Sequence, residues 1–233
     1  MSQGTGGRGQ RTSRVPLAVR RLGAISYSDA LELQKRLVEE RRAGTIGDTL
    51  LLLEHPPVVT LGARNRNKSS NIVASADELA QAGVAVSETG RGGDVTYHGP
   101  GQLVGYPILD LNPDRRDVHR YVRDLEEVLI DAIAAFGIEG RRVEGLTGVW
   151  VGQPGREEKI AAIGVRISRW ITSHGFALNV STNLDHFRLI VPCGIADRGV
   201  TSVARVLGTS VSMLDVEAAV VTSFARVFDR VAE

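Results

Sequence analysis

The chain's single cysteine, Cys193, stands between Pro192 and Gly194 in the run IVPCGI. Those neighbours put it at a chain turn rather than inside a regular element, where a thiol can be presented to a substrate. A free thiol of pKa about 8.5 is only a few per cent thiolate at pH 7, so nucleophilic use calls for a nearby cation. Only three of the 28 basic residues are lysines: Lys35, Lys68 and Lys159. Lys159 opens the small-residue run KIAAIG. A partly desolvated lysine can lose and regain a proton near neutrality, whereas an arginine cannot. Cys193 and Lys159 together are therefore candidates for acyl transfer through a covalent thioester. The competing readings are a buried structural thiol and an exposed lysine at a strand end.

A second concentration of chemistry is RGGDVTYHGPGQ at 91–102, which mixes four glycines with Arg91, Asp94, Thr96, Tyr97, His98 and Gln102. Glycines let backbone approach a ligand closely and expose N–H groups, which suits an anionic or carbonyl-bearing substrate. The alternative is a structured turn between strands. No G-x-x-x-x-G-K-[ST] pattern is present, and no G-x-S-x-G elbow. The G-x-G-x-x-G at Gly4, Gly6 and Gly9 follows no strand and opens no helix, so it is not a dinucleotide fingerprint. His98 and His174 are open as partners of Cys193 in a Cys–His dyad or as metal ligands. No His or Cys spacing supports zinc, and no metal is expected. His55, His119 and His186 read as surface or packing residues.

These groups need a scaffold, and the apolar pattern supplies one. Helices are expected over 28–43, capped by Ser26 with Asp29, over 118–136, and over 214–231, opened by Ser212 and Asp215. Strands are expected at 50–53, 58–61, 84–87, 103–111, 149–151, 160–167 and 171–180. The pattern predicts a single α/β domain, a mixed sheet flanked by about three main helices, spanning 15–233. Residues 1–14, rich in Gly, Arg, Ser and Thr, are expected to be a disordered basic tail.

Composition excludes several classes. Five arginines fall in residues 1–21, leaving the remainder with 23 basic against 27 acidic residues, a balance unlike a nucleic-acid binder. One cysteine excludes an intramolecular disulfide framework. No apolar run approaches the roughly 20 residues of a membrane span, and the N-terminus lacks a signal-peptide core. A cytoplasmic protein without nucleic-acid or membrane partners is expected.

Five motifs occur in order: RGGDVTYHGPGQ, then GVWV at 148–151, KIAAIG at 159–164, HGFALN at 174–179 and VPCGI at 191–195. Together they resemble the lipoate-protein octanoyltransferases of the biotin/lipoate protein ligase superfamily, over about residues 15–210. The resemblance implies the ligase-type mixed-sheet domain, and transfer of octanoyl from octanoyl-acyl carrier protein to a lysine of a lipoyl domain. The implied acceptors are the lipoyl domains of 2-oxoacid dehydrogenase complexes and the glycine cleavage H protein. It implies Cys193 as the acyl-thioester nucleophile and Lys159 as the residue that lowers the thiol pKa and moves protons. The implied acyl pocket comprises Arg91, Gly92, Gly93, Asp94, Val95, Thr96, Tyr97 and His98, then Ala162, Ile163 and Gly164, then Gly175, Phe176 and Ala177. No cofactor is expected, and the enzyme is expected to be a monomer. The alternatives are an ATP-dependent lipoate- or biotin-type ligase, a non-catalytic module that binds a carrier or lipoyl domain, and a cysteine hydrolase using His98 or His174. The acids Glu157 and Glu158 beside Lys159 depart from the family pattern. Strand alternation is expected to point Glu158 away from the lysine.

Overall fold

A computed structural model describes residues 14–63, 71–113, 115–191 and 198–233. Along the chain run β1 (Val15–Ala24), α1 (Tyr27–Arg42), β2 (Asp48–Glu54), β3 (Val58–Leu61), α2 (Ala76–Gln81), β4 (Ala85–Glu88), β5 (Val95–His98) and β6 (Gln102–Ile108). There follow α3 (Val118–Ala134), β7 (Arg141–Val143), β8 (Leu146–Val151), β9 (Glu158–Ser168), β10 (Ile171–Asn179), α4 (Val203–Leu207), α5 (Met213–Phe228) and β11 (Arg230–Ala232). Eight strands form the main sheet in the order β11-β1-β2-β6-β10-β9-β8-β7, and a smaller sheet has the order β4-β3-β5. The main sheet is mixed, with β1 parallel to both β2 and β11 and the other pairs antiparallel.

The unbroken apolar run in β2 is explained by cover on both faces of the sheet. Leu50 and Leu52 join the core under α3 and α5, while Leu51 and Leu53 join the core under α1. The α3 stripe buries Tyr121, Leu125, Val128, Leu129, Ala132 and Ile133. Ser26 caps α1 by accepting the Asp29 N–H at 3.1 Å, and Asp29 accepts the Ser26 hydroxyl at 2.6 Å. A third cluster lies within the small sheet, around Val59, Val95, Tyr97 and Phe187. No helix of the described residues is long and apolar enough to cross a membrane.

Three expectations are corrected. The strand β1 is not among the expected strands: of its ten residues only Leu17 is fully buried, so its apolar residues mark no continuous buried face. The last helix stops at Phe228, where Asp229 turns left-handed (φ 53°, ψ 55°) and releases Val231 into β11. Aspartate tolerates that conformation better than most residues. The Gly-rich stretch is not simply a turn, since Val95–His98 forms β5 and pairs with β3. Residues 1–13, where the basic tail was expected, lie outside the described residues.

Candidate functional site

The site begins with four small residues. On one face of the main sheet Ala162 pairs with Ala177 and Gly164 with Gly175, across β9 and β10. Alternation puts these side chains, at most a methyl each, on the same face, so the sheet carries a trough there. The ring of Phe176 points to the other face and joins the α3–α5 core. It lies across Gly105 so closely that a Cβ at Gly105 would strike it.

The Gly-rich loop roofs the trough. Gly92 N–H donates to Val165 O at 2.8 Å, and a Cβ on Gly164 would sit 3.0 Å from Gly92 O and 3.2 Å from Arg91 Cδ. Glycine at 164 is what permits this approach. Arg91, buried, donates to Thr60 O at 2.6 Å and to Thr60 Oγ1 at 2.9 Å. Asp94 accepts the Asn71 amide at 2.5 Å and the Val95 N–H at 2.8 Å. Arg91 thus ties the loop to β3 and Asp94 ties it to Asn71, so two charged groups that the sequence offers as ligand contacts hold the loop itself.

Roof and trough enclose a cavity of about 510 Å³. Arg91, Gly92, Gly93, Asp94, Val95, Thr96 and His98 line it, as do Ala162, Ile163, Gly164, Gly175, Phe176, Ala177 and Lys159. Tyr97 is not among its lining residues. Its ring packs edge-on against Phe187, and its hydroxyl meets His186 Nδ1 at 2.7 Å. The cavity is buried at the Tyr27, Tyr106 and His174 end and exposed at Val118, His119 and Arg123.

The buried end is rich in polar groups, and the charge of Arg91 acts on it. Asn179 donates to Thr201 O at 2.9 Å, so its Oδ1 accepts from Gln102 Nε2, also at 2.9 Å. Gln102 Oε1 then accepts from His98 Nδ1 at 2.8 Å. That fixes the His98 proton on Nδ1 and leaves Nε2 as an acceptor. His55 Nδ1 donates to Ile25 O at 2.8 Å, and its Nε2 accepts the Tyr106 hydroxyl at 2.8 Å. Neither pairing is visible in the sequence, because the partners are 30 and 51 residues apart.

Burial pushes His98 down to about 3, with the charges of His55 and Arg91 adding to it. Burial, with Arg91 and Arg166, takes His174 down to about 4. Burial also lowers His55. Imidazoles this weakly basic make poor acceptors for a thiol proton at pH 7, which counts against a Cys–His dyad. Among the described residues no group of three or more His, Cys, Asp or Glu side chains could hold a metal ion.

The depressed histidines make stability pH-dependent. An unfolded histidine titrates near 6.5. Below that pH the unfolded chain binds protons that the folded chain refuses until about 4 at His174 and about 3 at His98. Stability therefore rises with pH across this window and is lost as pH falls through it. His98 and His174 together should remove about 2–3 kcal/mol between pH 6 and pH 5. Urea unfolding of the parent and of His98→Gln measures this. Equal pH slopes in the two proteins would contradict a buried neutral imidazole at His98.

Lys159, 9 % exposed, places Nζ 4.7 Å from the centroid of the Trp150 ring. A cation in that position is attracted by the ring's negative face. Arg198 lies 5.7 Å from the same centroid, and its guanidinium pairs with Glu157 at 2.5 Å. Glu157 is thereby committed to Arg198, and the Glu158 carboxylate lies beside Gly199. Gly148, with φ 120°, holds open the space next to Lys159, since a Cβ there would stand 3.6 Å from Lys159 Cε and 2.6 Å from Ala161 O. The buried Glu126 accepts the Gly148 N–H at 3.0 Å and so ties β8 to α3.

Cys193 lies outside the described residues, but the chain on both sides of its segment is anchored. Before it, Val191 N–H donates to Asn71 O at 2.8 Å. After it, Lys159 N–H donates to Gly199 O at 2.9 Å and Thr201 N–H to Lys159 O at 3.0 Å.

A mixed sheet with a roofed trough defines a catalytic domain of the lipoate-ligase kind. The fold is similar to lipoate-protein ligase A bound with ATP (TM-score 0.70, 16% identity, 95% of this chain and 88% of that one). It is also similar to the bi-partite lipoate protein ligase of Thermoplasma acidophilum (TM-score 0.68, 18% identity, 94% and 86%). The family model for the lipoyl protein ligase A/B catalytic domain matches residues 26–225, and the chain belongs to that family. Relatives named octanoyltransferase are 57% identical in Myxococcus xanthus (91% of this chain, 60% of that longer protein) and 56% identical in Solibacter usitatus (91% and 92%). A third, from Chloroflexus aggregans, is 54% identical over 91% of this chain and 95% of its own length.

Proposed function

We propose that this chain is an octanoyltransferase that moves an octanoyl group from octanoyl-acyl carrier protein, through a thioester on Cys193, to a lysine of a lipoyl domain. The observation that carries this reading is identity of 54–57% to proteins of that name over nine-tenths of the chain. The cavity beside Lys159 adds chemical support, since the small residues Ala162, Gly164, Gly175 and Ala177 along the sheet leave room for an acyl chain. The acceptors in this reading are lipoyl domains of 2-oxoacid dehydrogenase complexes and the glycine cleavage H protein, and the enzyme acts as a cytoplasmic monomer.

In the proposed sequence the Lys159 ammonium favours the Cys193 thiolate, which attacks the thioester carbonyl of the donor. Backbone N–H groups near the new oxyanion stabilise the tetrahedral intermediate. The C–S bond to the carrier breaks, and the departing thiolate takes a proton from Lys159. The neutral amine of the acceptor lysine then attacks the Cys193 thioester. Lys159 accepts the proton that the amine loses, and the amide forms as the thiolate leaves. The ammonium and thiolate are regenerated together, so their titration belongs to the pair.

An ATP-dependent ligase is the competing reading within the same fold, since a ligase activates its acid as an adenylate and needs no thiol. Intact mass after mixing with octanoyl carrier protein, without ATP, separates the two. The expected result is gain of one octanoyl group, discharged by a lipoyl domain and blocked by prior alkylation of Cys193. Absence of the adduct together with ATP-dependent modification of the lipoyl domain by free octanoate would overturn the transferase.

A further inference from the structure

Lys159 and Val165 stand six positions apart on β9, about 20 Å at the rise of an extended strand. Val165 pairs with His174 across the sheet. The left-handed backbone at His174 breaks the strand alternation there, and Lys159 and His174 both line the cavity, with Ala162 and Gly164 between them along the sheet. The imidazole is held firmly. His174 is 3 % exposed, its backbone N–H donates to Gln34 Oε1 at 2.7 Å, and its ring stands edge-on to Tyr106 with centroids 6.2 Å apart.

Beyond His174 lies a second groove of about 760 Å³, bounded by α1, the Thr89–Gly90 turn and the distal ends of β9 and β10. His174 is the one described residue that lines both spaces. Leu31, Val38 and Ile171 contribute apolar surface to this groove, and Lys35, Arg42 and Arg166 can add their aliphatic stems. Methylene groups could continue into it if the wall were removed.

We propose that His174 is a specificity-determining residue, whose ring closes the acyl cavity against this second groove and so limits the length of the acyl chain accepted. The proposal rests on the reading that the trough beside Lys159 holds the acyl chain. The backbone supports it independently. His174 sits at φ 55°, a conformation that side-chain-bearing residues seldom adopt and glycine adopts freely. A position that favours glycine carries a large ring instead, and strain of this kind persists where the surrounding structure enforces it, often at ligand sites.

The same backbone makes the test clean, because His174→Gly suits the local conformation. Transfer to a lipoyl domain is measured from carrier-protein thioesters of eight, ten, twelve and fourteen carbons. The ratio of twelve-carbon to eight-carbon transfer is expected to rise at least tenfold in His174→Gly, with a smaller rise in His174→Asn. Adding Leu31→Trp, which fills the second groove, should return the ratio of His174→Gly toward the parent value. Ala162→Phe, which fills the trough itself, should lower transfer at least tenfold for every chain length. An unchanged ratio in His174→Gly, alongside the loss in Ala162→Phe, would overturn the proposal while leaving the trough as the acyl site. Undiminished transfer by Ala162→Phe would instead remove the trough as the acyl site and the proposal with it.

Discussion

Cys193→Ser is expected to lower octanoyl transfer by at least about 10³-fold while leaving the fold in place. The reason is the ionisation of the attacking group. A thiol near its ordinary pKa already supplies a few per cent of thiolate at pH 7, and an adjacent cation raises that fraction further. A serine hydroxyl is essentially un-ionised under the same conditions, so one cation beside it supplies almost no alkoxide. The swap changes one atom and little volume, so stability is expected to move by no more than about 0.5 kcal/mol. Single-turnover transfer from octanoyl carrier protein, with urea midpoints as the folding control, makes the measurement. Transfer within tenfold of the parent would exclude a covalent Cys193 intermediate.

The scaffold was legible where one side chain reports one environment. The α3 stripe reads directly because its burial follows a single period of 3.6 residues, and β2 because its whole apolar run is covered on both faces. β1 escaped because its strand sits toward the sheet margin and exposes Arg20, while only Leu17 reaches full burial. Asp229 ended α5 by a backbone turn that no apolar count detects.

The cavity divides in the same way. RGGD and KIAAIG mark it in the sequence because close approach of loop to sheet demands residues without side chains, as at Gly164 beneath Gly92. Its buried end could not be read. His55, expected to be a packing or surface residue, is buried and bound to Tyr106, and His98 reaches Asn179 through Gln102. Such links depend on strand register, and one position of slip would turn each side chain to the opposite face. Tyr97 shows this cost directly. It lies between two cavity-lining residues of β5, yet its hydroxyl finds His186 instead.

Lys159→Arg should be damaging although it keeps the charge, with turnover lowered by about 10²-fold or more, the range lost with a general acid–base group. A guanidinium over the Trp150 ring retains the cation–π attraction that an ammonium has there, so in the proposed mechanism Lys159→Arg still offers Cys193 a positive charge. It does not exchange protons near neutrality, and so neither the departing carrier thiolate nor the incoming amine is served. Formation of the acyl-enzyme should therefore suffer less than its discharge, because a thiolate can leave unprotonated whereas an ammonium product must lose a proton. Lys159→Met removes charge and proton together and should impair both halves, with alkylation of Cys193 moving to higher pH. His98 and His174 are not suited to take over, since they are held down at about 3 and about 4. The rate of alkylation against pH, set beside the separate rates of acylation and discharge, resolves the two roles. If Lys159→Arg discharges octanoyl to a lipoyl domain at the parent rate, Lys159 serves only as a fixed charge, and the proton must leave through water or through the acceptor itself.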